Sequence, residues 1–508
     1  MNNINNVFRK TLTALLIICL LSCSDDNVSA ETGKNEDFVS KSIVEVYNNL
    51  QSSMVLQQNS KFIISGKGTP YQPIRINCSW EGTTQYYTFK VSANGSWSQQ
   101  IAIPSGNFDK QTIIVEGKEK VIFSDILIGE VWLCSGQSNM WYPLKDIENG
   151  PNEVKDAANY PNIRFLNMAQ VQSNQPVDNY TARWQVCSPS SAEWFSGVGY
   201  FFGKKLLQEL KVPIGLINAS WGDTTAEVWA ERNAVLSNPL VKEDALKNDE
   251  RPRADPNSPY KIGSAYNAMI YPVRSIPVAG VIWYQGEANM DYLDYYPHLL
   301  SVLANSWRQL WNVTADNMPF YISQICPYKR EFDYITNYAN PATRFAQQKA
   351  STSIPNSGVI CNDDIADLND IHPKNKQDVG LRFAFLALAD KYKKAEFANK
   401  KSPVFNKYTI QDGKILVEFK YADEGLKTRD GAEPAMFEIA GADRVFYPAS
   451  AVLNGNKVEL VSPMVASPVA ARLGWSYTKT TNLISKFGLP VSVFKTYDWK
   501  DEAEEVFN

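Results

Sequence analysis

Histidine is nearly absent from this sequence. Two occur among 508 residues, His298 and His372, which excludes a histidine-rich metal site. Cysteine offers no substitute. Of seven, Cys78, Cys134, Cys187, Cys326 and Cys361 are scattered through the body of the chain, with neither the spacing of a zinc-thiolate cluster nor the even count of a disulfide scaffold. Buried thiols, with at most one or two bridges among them, are the expectation, with no metal and no cofactor. Long Lys/Arg blocks are missing and the net charge is −4, which speaks against nucleic acid as a partner. Beyond the first residues no run is long and apolar enough to cross a bilayer. Aromatic residues, in contrast, make up 12% of the chain, enough to supply flat platforms for sugars as well as core.

The first residues read as an address label. Arg9 and Lys10 precede the short apolar run "TLTALLIICLL", and "LLSC" follows at once. That stretch resembles a bacterial lipobox, which implies a signal peptide over 1–22 and a lipidated Cys23 as the new N-terminus. The acidic pair Asp25–Asp26 resembles the export tag of surface lipoproteins in some Gram-negative bacteria. The expected location is therefore the cell envelope, at the outer membrane, the cell surface or facing the periplasm, with contact to the membrane only through the lipid. Residues 23–43 are polar and read as a tether.

Three further regions follow. Over 44–124, "KFIISGKG", "PIRINCSW" and "QTIIVEG" are short β runs, and "VSANGSWSQQIAI" reads as a hairpin around Asn94–Gly95; together they predict a β-sandwich. Over 125–395, apolar runs such as "ILIGEVWLCS", "VPIGLINAS", "VAGVIWYQGE", "MPFYISQI" and "SGVICND" alternate with helical periodicity in "VGYFFGKKLLQELK", "YYPHLLSVLANSWRQLW" and "GLRFAFLALADKYK". Strands apolar on both faces and joined by helices predict a mainly parallel sheet covered by helices on both sides. Over 396–508 β patterning returns in "KILVEFKY", "AMFEIAG" and "NKVELVS", with a final segment that is a candidate to fold back.

In a parallel sheet, ligands bind at the carboxyl ends of the strands. "SGQSN", "NASWGDT", "WYQGEAN" and "CNDD" all fall there. Ser138 sits at a strand-to-helix turn, where backbone N–H groups can face a developing oxyanion. Met140 stands where an α/β-hydrolase elbow would carry its second glycine, so that fold is disfavoured. A serine nucleophile needs a base near neutrality. His298 lies in an amphipathic helical pattern and reads as packing or surface, whereas His372 lies past a strand end among carboxylates and reads as functional. Gly222 lets the backbone approach a ligand, and the Asn289 amide can donate to the same oxyanion.

Serine, glycine, asparagine and histidine in that chain order resemble the SGNH (GDSL-like) hydrolases, and within them the bacterial sialate O-acetylesterase group. The stretches that carry the resemblance include "GEVWLCSGQSNM", "VPIGLINASWGDTTAEVW", "GVIWYQGEAN", "DIHPKNKQDVGLR" and "GWSYTKTTNLISKFGLP", and the likeness spans roughly residues 45 to 500. It implies an SGNH-type α/β/α catalytic domain of three layers, flanked by N-terminal and C-terminal β-sandwich-like domains. It also implies Ser138 as nucleophile and His372 as general base and acid. The oxyanion hole becomes the Ser138 N–H, the Gly222 N–H and the Asn289 side chain. Asn369 occupies the usual position of the triad acid, which leaves Asp370, with Asp367 and Asp364 as substitutes. Asp223 replaces the second glycine of the family's "WGGT". Gln137, Gln285, Glu287 and Asp223 in these loops are candidates for substrate contact, and Arg344 or Arg382 for a substrate carboxylate. The implied reaction is removal of O-acetyl groups from glycans, sialic acid first. An acetylxylan-type polysaccharide esterase and a non-catalytic carbohydrate-binding lipoprotein are the competing readings. The oligomeric state is left open.

Overall fold

The apolar runs of strand length form the middle of an 11-stranded mixed sheet. Seven of its strands position the site: β1 (Lys120–Gly136), β2 (Ile163–Asn167), β3 (Trp184–Val186), β4 (Ile214–Ser220), β5 (Gly280–Tyr284), β6 (Phe320–Ser323) and β7 (Ser357–Ile360). They lie in the order β3-β2-β4-β1-β5-β6-β7, all parallel except β3, which runs antiparallel to β2. The computed structural model describes residues 38–250, 258–290, 294–329 and 336–500; the expected signal segment, Cys23 and most of the tether lie outside them.

Alternate residues of a strand face opposite ways, so a strand apolar throughout must be covered twice. Val131, Leu133, Ile217, Val281 and Trp283 join one core with Leu299, Leu303 and Trp307 of α3 (Tyr296–Leu310) and with Ala346 and Ala350 of α4 (Thr336–Ser353). Trp132, Cys134, Leu216, Ile282 and Tyr321 join a second core with Val198, Phe202 and Leu206 of α2 (Gly197–Leu210) and with Val379, Phe383 and Leu386 of α5 (Lys376–Asp390). The remaining helix that matters is one turn long, α1 (Ser138–Trp141). Helix α4 is the element the periodicity does not announce, because it is polar on average and carries Pro341 in its interior.

The N-terminal strands form two layers. Glu45–Val46, Ser60–Lys67 and Ser96–Ile103 make a three-stranded sheet, while Pro73–Cys78, Tyr87–Lys90 and Asn107–Glu116 continue the large sheet through the first half of β1. The expected Asn94–Gly95 hairpin needs correction. Gly95 does adopt φ +81°, but the strands on either side of the turn go to different sheets. The reason is burial: Phe89 and Trp97 meet as rings, 5.9 Å apart, across the core between the layers rather than side by side in one ladder. Strand β1 runs straight through the expected boundary at 124/125. Its burial changes there from alternating to continuous.

After α5 the chain makes several separate β-sheets around Val417, Phe419, Phe437, Ile439 and Phe494. Its last described segment folds back onto the α/β region: the Thr481 N–H donates to Asp363 at 2.5 Å and the Cys361 thiol to the Val491 carbonyl at 3.6 Å. Cys78, Cys134, Cys187, Cys326 and Cys361 are all buried and unpaired with one another, and burial pushes the thiol pKa of Cys326 up to about 12. Among the described residues no helix is long and apolar enough to cross a membrane.

The last residue of β1, Gly136, has φ +139°, and a Cβ there would stand 2.1 Å from the Tyr284 carbonyl oxygen. Gly136→Ala is therefore expected to destabilise the fold by about 2 kcal/mol or more, combining backbone strain with overpacking. A fall in the midpoint of thermal unfolding by calorimetry checks this; an unchanged midpoint contradicts it.

Candidate active site

Three strand ends lie level. Gly136 pairs with Ser220 of β4 on one side and with Tyr284 of β5 on the other, so the loops that begin at Gln137, Trp221 and Gln285 leave the sheet side by side. Gln137 caps β5 by donating its N–H to the Tyr284 carbonyl, and its own carbonyl receives the N–H groups of Met140 and Trp141, which winds α1. Ser138 thus opens a helical turn, half-buried, at the edge of the sheet. Gly222 lies over it: a Cβ on Gly222 would be 3.5 Å from Ser138 Cβ, so glycine keeps that space open.

His372 arrives from the segment between β7 and α5. Its Nε2 lies 2.9 Å from Ser138 Oγ, joining groups 234 residues apart. Burial lowers the imidazole pKa below its ordinary value, the nearby Lys376 ammonium lowers it further, and Asp370 opposes both. The ring is consequently neutral at neutral pH and free to accept a proton. Asp370 Oδ1 accepts the His372 backbone N–H at 2.8 Å but stands 3.7 Å from Nδ1, beyond hydrogen-bond length. Of the substitutes, Asp364 is taken by Arg382 through two bonds of 2.7 and 2.8 Å, and Asp367 is exposed with its carboxylate on the Asn369 N–H. Of the three, Asp370 is the one whose carboxylate stands beside the imidazole. His298 sits exposed near the start of α3.

Asn289 is wholly buried and its amide is oriented from both ends. Oδ1 accepts the Ala226 N–H at 2.9 Å and Gln285 Nε2 at 2.7 Å, while Nδ2 donates to the Glu227 carboxylate at 3.1 and 3.3 Å. Glu227, absent from the sequence-based candidates, also holds Asn248 and the Tyr295 hydroxyl. It lies inside "TTAEVW", but a buried carboxylate cannot be told from a surface one in a single sequence.

Several expected substrate contacts turn out to be braces. Gln137 is buried and its Oε1 accepts the N–H groups of Gly286 and Ala288, tying the serine turn to the asparagine loop. Gln285 is buried against Thr224, Asn289 and Tyr296. Glu287 is buried against Asn139, 2.5 Å away, and burial raises its pKa. Arg344 needs the firmest correction. It is 1% exposed, bonds Asp363 at 2.6 Å and donates to the carbonyls of Gly474 and Ser476, so it fastens the folded-back segment to α4 and cannot meet a substrate. Arg382 is likewise spent on Asp364. Asp223 alone of these candidates is exposed. Its φ of +57° lies in the left-handed region, which aspartate is among the few side chains to tolerate.

A hydroxyl and a neutral imidazole in contact at the strand ends of an α/β sheet are the parts of a hydrolase that works through an activated serine. The family model described as "Carbohydrate esterase, sialic acid-specific acetylesterase" matches residues 128–388, just over half of the chain. Sialate O-acetylesterase of Mus musculus is 28% identical over 397 residues, covering 68% of this chain and 72% of its own length. The Homo sapiens enzyme of the same name is 28% identical over 381 residues, covering 68% and 70%. The crystal structure of a carbohydrate acetylesterase from Xanthomonas citri superposes with TM-score 0.80 at 31% identity, over 90% of this chain and 100% of that one. The protein belongs to the sialic acid-specific acetylesterase family of carbohydrate esterases, and it is a carboxylic ester hydrolase.

Arg344→Met leaves Asp363 buried and unpaired, which is expected to cost on the order of 3 kcal/mol. The urea midpoint should fall while KM for an acetyl ester stays at the wild-type value; a raised KM with an unmoved midpoint would return Arg344 to the substrate.

Proposed function

We propose that the protein removes O-acetyl groups from glycans, with O-acetylated sialic acid as its leading substrate and Ser138 as its nucleophile. The observation that carries this reading is the 2.9 Å contact between Ser138 Oγ and His372 Nε2 in a member of this family. Ser138 Oγ attacks the acetyl carbonyl carbon as Nε2 takes its proton. The oxyanion that forms is held by the backbone N–H groups of Ser138 and Gly222 and by the Nδ2–H of Asn289 that Glu227 does not engage. The bond from the carbonyl carbon to the sugar oxygen then breaks, and the imidazolium returns the proton to that oxygen. Water, deprotonated by the same nitrogen, hydrolyses the acetyl-serine and restores the enzyme. Asp370 acts on the imidazolium as a charge held by the His372 backbone.

An anionic sugar calls for a cation near the Ser–His pair. With Arg344 and Arg382 committed to buried pairs, Lys374 is the suitable group: its side chain is 48% exposed, its Nζ donates to the Tyr142 hydroxyl and stands 3.8 Å from Asp370 Oδ2, and it lies two residues from His372. Trp141, 40% exposed and three residues after Ser138, offers the sugar a flat face. The same reading takes residues 125–395 as a three-layer α/β/α catalytic domain between β-sandwich-like domains at 44–124 and 396–508. The "LLSC" stretch supports export and attachment to the cell envelope through Cys23.

Acetate release tests both parts. Ser138→Ala and His372→Ala should each lower kcat on 4-nitrophenyl acetate by ~10⁴ or more; near-normal turnover by Ser138→Ala would remove the proposed nucleophile. Lys374→Met should lower kcat/KM on O-acetylated sialic acid about tenfold more than on acetylxylan, the loss of one partly exposed ion pair to the substrate. Equal losses on the two substrates would remove Lys374 as the carboxylate's partner.

A further inference from the structure

The imidazole of His372 has a hydrogen bond to Ser138, while its other nitrogen stands too far from Asp370 to make one. The Tyr142 ring lies beside the imidazole, with centroids 5.5 Å apart, and the segment that carries it is held through its backbone. Asn139, the residue after the nucleophile, is wholly buried and uses its whole amide. Nδ2 donates to Glu287 Oε1 at 2.5 Å and to the Ile371 carbonyl, the peptide just before His372, at 3.0 Å. Oδ1 accepts from Lys376 Nζ at the start of α5. One side chain therefore joins the serine turn, the asparagine loop, the histidine segment and a helix end. Its two anchors are side chains of opposite charge type, both buried.

We propose that the Lys376–Asn139–Glu287 chain is the positioning device of this site, locking the segment that carries His372 to the turn that carries Ser138 and setting the charge that the imidazole faces. The chain touches no reacting atom, so its members are positioning residues. The inference rests on the Ser138–His372 reading above.

The groups around Lys376 are Glu287 on the asparagine loop, Cys326 beyond β6, Asp370 and Lys374 on the histidine segment, and the rings of Tyr142 and Tyr284 at 5.4 and 5.5 Å from Nζ. Glu287 and Asp370 favour the ammonium and Lys374 opposes it, but burial outweighs them and brings the Lys376 pKa down to about 8. Below that pH, Lys376 is charged and repels a proton from His372. Above it, the repulsion is gone and Asn139 Oδ1 keeps only a neutral donor.

Two histidines in the chain make this readable by NMR of ring-labelled protein, with His298→Gln assigning the signals. In the full wild-type chain the His372 resonances should titrate once below the ordinary imidazole range and shift again near pH 8, as Lys376 loses its proton. Resonances flat from pH 7 to 9 would overturn the proposal. In Lys376→Met the acid limb of kcat/KM should move up by about half a pH unit, because one opposing charge is removed, and kcat should fall about tenfold with KM little changed. The double variant Glu287→Gln/Lys376→Met, which leaves no unpaired buried charge, should show the same displaced limb if the single variant does not fold. A lysine that only supported the fold would lower the unfolding midpoint and leave the limb in place, and that result also overturns the proposal. Ser138→Ala is assayed beside them. If it keeps its activity, the nucleophile assignment fails; if it is inactive while the limb stays fixed in folded variants, only the positioning role fails.

Discussion

Gly136 stands opposite Ser220 on one side and Tyr284 on the other, and this level ending of three parallel strands is the constraint on which the site depends. A one-residue slip of β5 would exchange Ile282 and Trp283 between the two cores, so side-chain burial fixes the register. Once it is fixed, the serine turn, the Gly222 loop and the Asn289 loop emerge together. Gly136 tolerates the close approach of the Tyr284 carbonyl that a side chain would prevent. The sheet does not deliver His372 in the same way. That residue lies twelve positions past the end of β7 and reaches Ser138 because Asn139 and Asp370 fix the backbone around it.

The polar groups behind the reacting pair bond largely to one another, although among the described residues Glu287 Oε2 and Arg344 Nε are buried without a hydrogen-bond partner. Glu227 orients Asn289, Gln137 and Gln285 brace the loops, and Lys376 and Glu287 meet through Asn139. Further out, Arg344 with Asp363 and Arg382 with Asp364 lie between the histidine segment, α4, α5 and the folded-back C-terminal residues. Buried ionic pairs of this kind add little net stability but make any rearrangement costly. They suit a site in which the loops around Ser138 and His372 keep one arrangement.

Much of this was legible in the sequence. Apolar strand-length runs pointed to the parallel sheet, and short polar motifs at their carboxyl ends singled out Ser138 and His372, which the structure brings into contact. What escaped was whatever depends on burial. Gln137, Gln285 and Glu287 lie in the right loops and Arg344 on α4, yet neither position reveals whether a polar side chain faces substrate or a neighbouring element. Asn139 and Lys376 sat inside the motifs "GQSNM" and "IHPxNKQ" and drew no role, because their meaning is a contact across 237 residues. The Asn94–Gly95 turn was visible, but the hairpin expected from it does not form, since turn chemistry is local while the choice of ladder partner is made by Phe89 and Trp97 in the core. The composition change near residue 124 marks a change of burial within β1 rather than an end of the strand.

The central claim is that Ser138 is the one hydroxyl activated for attack. Treatment of the active protein with a serine-directed fluorophosphonate, followed by peptide mass mapping, tests it most directly. A single adduct on Ser138, formed in step with loss of acetate release and abolished in His372→Ala, is the predicted result. Loss of activity with the adduct on another residue, or full activity after complete modification of Ser138, would contradict it.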